Sequence, residues 1–249
     1  MKERLLLLAM AYPEASRKYG HSVCIAGITD KGEFRRIYPI PYEIWRRGIF
    51  HKRRFIEYEL RGKGDYRKES YKVYTNTIRT LKGEMDYNTE IRDICQRNSS
   101  SVEELSSAFD EDRTSIGIVK PKILDLKIVD NIPEDTTIQT LLVPESETPE
   151  RLDHKFIYHF KCSDTCDTIH KMMILDTEAG QLYRNLKMQM QNREMAFIPK
   201  FKEKFFTWMI KTRDPFFMLG THAYHPNHWM IISVLYPEKR SQKTLFGFQ

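Results

Sequence analysis

Val23-Cys24-Ile25-Ala26-Gly27-Ile28-Thr29-Asp30-Lys31-Gly32-Glu33-Phe34-Arg35-Arg36-Ile37-Tyr38 is the stretch on which the fold of this chain turns. Two strand-like runs, Val23 to Ile28 and Phe34 to Tyr38, flank Thr29 to Glu33, a connection rich in turn residues, so the segment 22–40 reads as a β-hairpin. Pro39 and Pro41 stop its second strand, because proline cannot donate to a ladder. Working outward, Phe55 to Leu60 predicts a third strand and Tyr71 to Leu81 a fourth. Residues 1–83 therefore read as a β-rich unit.

The chain then changes character. Asn88 to Arg97 and Ser101 to Phe109 carry helix signals, with Ser101 and Glu104 spaced as a capping box and Val102, Leu105 and Phe109 at helical intervals. Ile123 to Val129 alternates like a half-buried strand, and Ile132 to Glu150 reads as an exposed loop. Residues 84–150 are thus expected to form an acidic helical and loop connection. In 151–237 the strand-like runs Lys155 to Lys161 and Lys171 to Leu175 precede a helical face of Ala179, Leu182, Tyr183, Leu186 and Met190. A second helix over Phe201 to Thr212 and two late strands, Phe216 to Gly220 and Trp229 to Tyr236, complete that unit. The fold class that follows is α+β, a β-rich N-terminal half with a basic face and a C-terminal half of mixed strands and two helices.

The 249 residues are 41% hydrophobic, enough for a sizeable core, and no stretch approaches the roughly 18 apolar residues of a membrane span. Leu5 to Met10 is short and lacks a small-residue cleavage site, so an intracellular protein, cytoplasmic or nucleoid-associated, is expected. Forty Lys and Arg against 34 Asp and Glu leave a net charge of +6, unevenly spread. Residues 31–72 hold thirteen bases and six acids, whereas 84–112 hold nine acids and two bases. Lys187 to Arg213 adds seven bases against two acids. Arg35, Arg36, Arg46, Arg47, Lys52, Arg53 and Arg54, interleaved with Trp45 and other aromatics, form the composition of a surface that neutralises phosphates and stacks on bases. The same arginines would also suit ordinary solvated strands.

Four cysteines are too few for a disulfide scaffold. Cys162, Cys166 and His170 offer two thiolates and an imidazole, three of the four ligands of a zinc ion, with His222, His225 or His228 available to complete the set. Reduced cysteines in a strand-end loop are the alternative. Asp176 and Glu178, where a strand gives way to a helix, and Glu57 and Glu59, on one face of a strand, are candidate catalytic carboxylates for a divalent metal such as Mg. Acids at a helix start also serve as caps. His222, His225, His228, Tyr224 and Trp229 make an imidazole-rich loop that could stack on a base.

The tail reads Gln242-Lys243-Thr244-Leu245-Phe246-Gly247-Phe248-Gln249, beyond a short tether at 237–241. In one 3₁₀ turn, residues i and i+3 eclipse, so Leu245 and Phe248 would project as a two-pronged apolar plug with the Gln242 amide at its rim. This pattern resembles the PIP box by which replication and repair proteins bind the sliding clamp PCNA, although Gln249 stands where many such motifs carry a second aromatic. The tail could instead fold back as a last strand. The resemblance covers the tail alone, residues 242–249, and implies PCNA as partner through Gln242, Leu245, Phe246 and Phe248, while the basic, aromatic surface makes DNA the expected second ligand. It implies a replication or repair accessory protein, in an archaeal cell by the absence of a nuclear import cluster. A clamp-tethered metal-dependent nuclease and a clamp regulator with little DNA binding are the alternative expectations.

Overall fold

The computed structural model describes residues 1–16, 20–132, 151–162, 166–222, 225 and 227–240. Its first strand, β1 (Lys2–Met10), holds the run Leu5-Leu6-Leu7-Leu8, each residue at most 2% exposed. Such an unbroken apolar run shows no alternation because both faces are buried. Leu5 and Leu7 point into the interior of a barrel, while Leu6 and Leu8 face outward into a second core.

The barrel is a closed ring. After β2 (Glu14–Ser16) come β3 (Gly20–Thr29) and β4 (Phe34–Pro41), the hairpin expected over 22–40. A short helix, α1 (Tyr42–Arg46), leads to β5 (Phe55–Lys63), β6 (Ser70–Val73) and β7 (Arg79–Thr80). The ring runs β1-β3-β4-β6-β5 and closes by antiparallel pairing of β5 with β1, Leu5 opposite Ile56. Closure removes the free edges of an open sheet. A Cβ at Gly27 would stand 1.9 Å from the Leu6 carbonyl oxygen, so only glycine lets β1 and β3 lie this close. Leu7→Ala is expected to cost about 2–5 kcal/mol by opening a hole among Val23, Ile25, Ile37 and Tyr58. A lower urea midpoint at unchanged slope would report it, and an unchanged midpoint would mean that the interior is not packed around this side chain.

The acidic stretch enters through a π-helical turn, Tyr87–Ile91, capped by Asp86, then α2 (Arg92–Arg97) and α3 (Val102–Asp112). The capping box expected at Ser101 is present. Within 84–150, β8 (Ile116–Val119) and β9 (Lys122–Asp130) each supply a strand to one of two small sheets. One is β9 with β10 (His154–Lys161) and β11 (His170–Met173); the other is β8 with β12 (Phe216–Thr221) and β13 (Trp229–Leu235). Of the loop expected over Ile132 to Glu150, residues 133–150 lie outside the described residues.

Two helices cover these sheets. The first is α4 (Thr177–Gln189), and the second begins at Glu194, earlier than its apolar spacing suggests. It runs as α5 (Glu194–Lys202), a π-helical segment Glu203–Trp208 and α6 (Met209–Thr212). Pro199 is tolerated because the carbonyl it leaves unpaired belongs to Met195, which is 96% exposed and can bond to water. Stacked Phe156, Phe201 and Phe205, with ring centroids 4.3 and 5.1 Å apart, tie this helix to β10. Among the described residues, no helix is long and apolar enough to cross a membrane.

Candidate metal centre

Antiparallel pairing of β10 with β11 places His170 opposite Phe160 and leaves the connection between them, which carries Cys162 and Cys166, at one sheet end. The first turn of α3 arrives at the same place. Its N-cap Ser101 accepts the Glu104 N–H, and Glu104 accepts the Ser101 N–H in return, which fixes Glu103 toward the cysteines. Cys162 Sγ donates to Glu103 Oε2 at 3.0 Å, and Cys166 Sγ lies 3.8 Å from Glu103 Oε1. His170 Nε2 is 3.4 Å from Cys166 Sγ and 3.3 Å from Glu103 Oε1.

These separations can be tested against a metal. With Zn–S of about 2.3 Å and Zn–N or Zn–O of about 2.0–2.1 Å, a tetrahedral ion needs S–N and S–O edges of roughly 3.5 Å and an N–O edge of roughly 3.3 Å. The three contacts among Cys166 Sγ, His170 Nε2 and Glu103 Oε1, 3.3 to 3.8 Å, scatter about those edges. Cys162 Sγ adjoins the other carboxylate oxygen at 3.0 Å, and one ligand atom from each residue can be chosen so that all four lie within 4.8 Å of one another. Glu103, Cys162, Cys166 and His170 therefore form a group that could hold a metal ion such as zinc. Among the described residues no other group of three or more such donors is drawn together. Without a metal the arrangement is awkward for a thiolate, since burial, with the Glu103 carboxylate close by, pushes the Cys162 thiol up to about 12. A metal replaces that proton.

The fourth donor is not His222, His225 or His228. His222 and His225 stack on each other at 4.9 Å in the β12–β13 connection, next to Arg36 and Arg67, and are not in the group. Glu103 takes their place, and no local spacing announces it, because it lies 59 residues before Cys162. Trp229 is buried against Phe109 and cannot stack on a base, while Tyr224 is outside the described residues.

The proposed catalytic acids stand in two separate pairs. Glu57 is held by Arg4 at 3.3 Å, and with Glu59 it borders a small cavity of about 160 Å³. Asp176 is the N-cap of α4, 2% exposed, and both its oxygens are engaged by Lys52, at 2.9 and 2.8 Å, and by the N–H groups of Glu178 and Val234. Glu178 lies 3.2 Å from the same lysine.

The basic set divides by burial. Arg35 is enclosed, donating to Glu3 at 2.9 and 2.7 Å while Tyr58 donates to the same carboxylate. Arg36 grips the carbonyls of Thr221 and Ser115 at 3.0 and 2.8 Å, docking the barrel onto the C-terminal unit. Lys52 is spent on Asp176. Arg53 and Arg54 pair with Glu84. Trp45 stacks on Tyr42 at 5.6 Å, and Arg46 and Arg47 beside it are exposed. Gln242, Leu245, Phe246 and Phe248 lie outside the described residues, but Glu238 and Arg240 of the tether before them are paired. Glu238 pairs with Arg213 at 2.8 Å, and Arg240 with Asp93 at 3.2 Å.

A five-stranded barrel docked on two small sheets and their helices, with a Cys-Cys-His-Glu group at one sheet end, defines an α+β protein with a candidate metal centre. The chain belongs to the family described as "Domain of unknown function (DUF8757)", matched over residues 98–248. Residues 1–97 match the family described as "Domain of unknown function (DUF8758)". All four metal-site residues fall in the first of these. Among curated proteins, none matches the chain.

Proposed function

We propose that this chain is a DNA-binding replication or repair accessory protein, held at the sliding clamp PCNA by its C-terminal tail and carrying zinc at Glu103, Cys162, Cys166 and His170. The observation that carries the reading is the tail, Gln242 with Leu245 three residues on and Phe248 three beyond that, directly after an anchored stretch. Linking two modest contacts raises the effective concentration at the second, so a weak DNA contact becomes useful once the tail is docked. For DNA, the favoured surface is Tyr42, Trp45, Arg46 and Arg47 on and after α1, where a stacked aromatic pair adjoins exposed guanidinium groups. A second cationic, aromatic face on the long helix places Lys204 3.2 Å and Arg213 4.6 Å from the Trp208 ring.

Truncation after Ser241 is expected to abolish capture by purified clamp, and equal capture of both forms would remove the clamp from the account. For DNA, Arg46→Ala with Arg47→Ala is expected to lower the slope of log affinity against log salt by roughly one per lost phosphate contact. Binding that ignores salt in the intact chain would favour a clamp regulator that barely touches DNA.

A further inference from the structure

The four donors of the metal centre are not equally enclosed. Cys162 and Cys166 are 6% and 9% exposed, and the His170 side chain 8%, whereas the Glu103 side chain is 55% exposed. Glu103 also borders a cavity of about 650 Å³, whose wall includes Ser100, Glu104, Lys120 and Asp167 as well as both cysteines. A structural zinc is closed by four firm ligands; a reactive one keeps three protein ligands and an exchangeable position. Three buried donors and one carboxylate at an open mouth match the second arrangement.

Charge around the mouth selects what can enter. Two thiolates already offset a dication, so a zinc here presents no surplus positive charge to the cavity. The one lysine on the wall, Lys120, is paired with Asp214 at 2.7 Å. Glu104 and Asp167 add negative charge to the approach, and a cleft lined by one sign of charge repels ligands of the same sign. Phosphate is disfavoured, and a neutral donor is not.

We propose that zinc is held firmly by Cys162, Cys166 and His170, and that Glu103 is an exchangeable fourth ligand. It yields its position to water or to a small neutral nitrogen donor entering through the cavity. The inference rests on the reading of the group as a zinc site, and it separates this centre from the contact with DNA phosphates.

The test uses the full chain, stripped of metal and reloaded with Co(II). One cobalt per chain with thiolate-to-metal absorption is expected first, and failure to see it overturns the zinc reading itself. Imidazole, inorganic phosphate and a single-stranded oligonucleotide are then titrated separately at constant ionic strength. Imidazole should shift the ligand-field bands saturably, while phosphate and the oligonucleotide leave them unchanged. In Glu103→Ala, imidazole should bind roughly tenfold more tightly or better, because the protein carboxylate no longer holds the competing state. Glu103→Gln, which keeps the side-chain volume, serves as a second variant should the alanine form fold poorly. A metal-loaded wild type whose bands ignore imidazole would overturn the inference and leave a closed structural zinc. A response to phosphate or the oligonucleotide would overturn the choice of ligand.

Discussion

Asp176→Ala will destabilise the protein by about 3–5 kcal/mol, because it strands a buried lysine without its counter-charge. Lys52 is 7% exposed and Asp176 2%, and the pair bridges the barrel to the start of α4. The same carboxylate accepts the N–H groups of Glu178 and Val234, each at 2.7 Å, so the substitution also uncaps α4 and orphans a strand donor. Burial alone would push the Lys52 proton off. The carboxylates of Asp176 and Glu178 outweigh it and hold the ammonium above its ordinary 10.5. The stabilisation from this lysine is therefore complete below its unfolded value and fades only as pH rises through the elevated folded one. Lys52→Met combined with Asp176→Leu should recover much of the loss, since apolar replacement of both partners removes the stranded charge. About 1 kcal/mol for the lost cap, and a further cost for the orphaned Val234 N–H, should remain. Urea unfolding of the two single variants and the double one measures this coupling, and additive losses would show that the pair is not a unit.

Removing zinc will lower the stability of the intact chain, by about 2.7 kcal/mol relative to free zinc at one hundred times its dissociation constant. The ion would join the first turn of α3 to the β10–β11 end, and those elements share one core that includes Val102, Leu105, Phe160 and Met172. Thermal unfolding in zinc and in chelator should differ for the wild type and coincide for Cys166→Ala. Coincidence in the wild type would mean that the four donors bind no metal in solution.

Much of the local structure is legible in the residues. Turn chemistry marks the hairpin over 22–40, alternation the strands at 55–60 and 123–129, short apolar runs the two late strands, and Ser101 with Glu104 the start of α3. Cys162, Cys166 and His170 are close in sequence, so most of the metal group can be read directly. The run Leu5 to Leu8 is harder to place, because a strand buried on both faces loses the period that identifies strands. Arg35, Arg36 and Lys52 read as surface charge, since nothing beside them in the chain shows that Glu3, the Ser115 and Thr221 carbonyls and Asp176 will meet them.

The chain alone determines the α+β class, the capped helix start and three of the candidate metal donors, all of which depend on torsional preference or on spacing within a few residues. Tertiary structure decides the closure of the barrel by β1 on β5, the burial of the charged pairs and the arrival of Glu103 as the fourth donor. Each of these joins segments dozens of residues apart, and such contacts form only when the gain from burying both partners together outweighs the entropy of closing the loop between them.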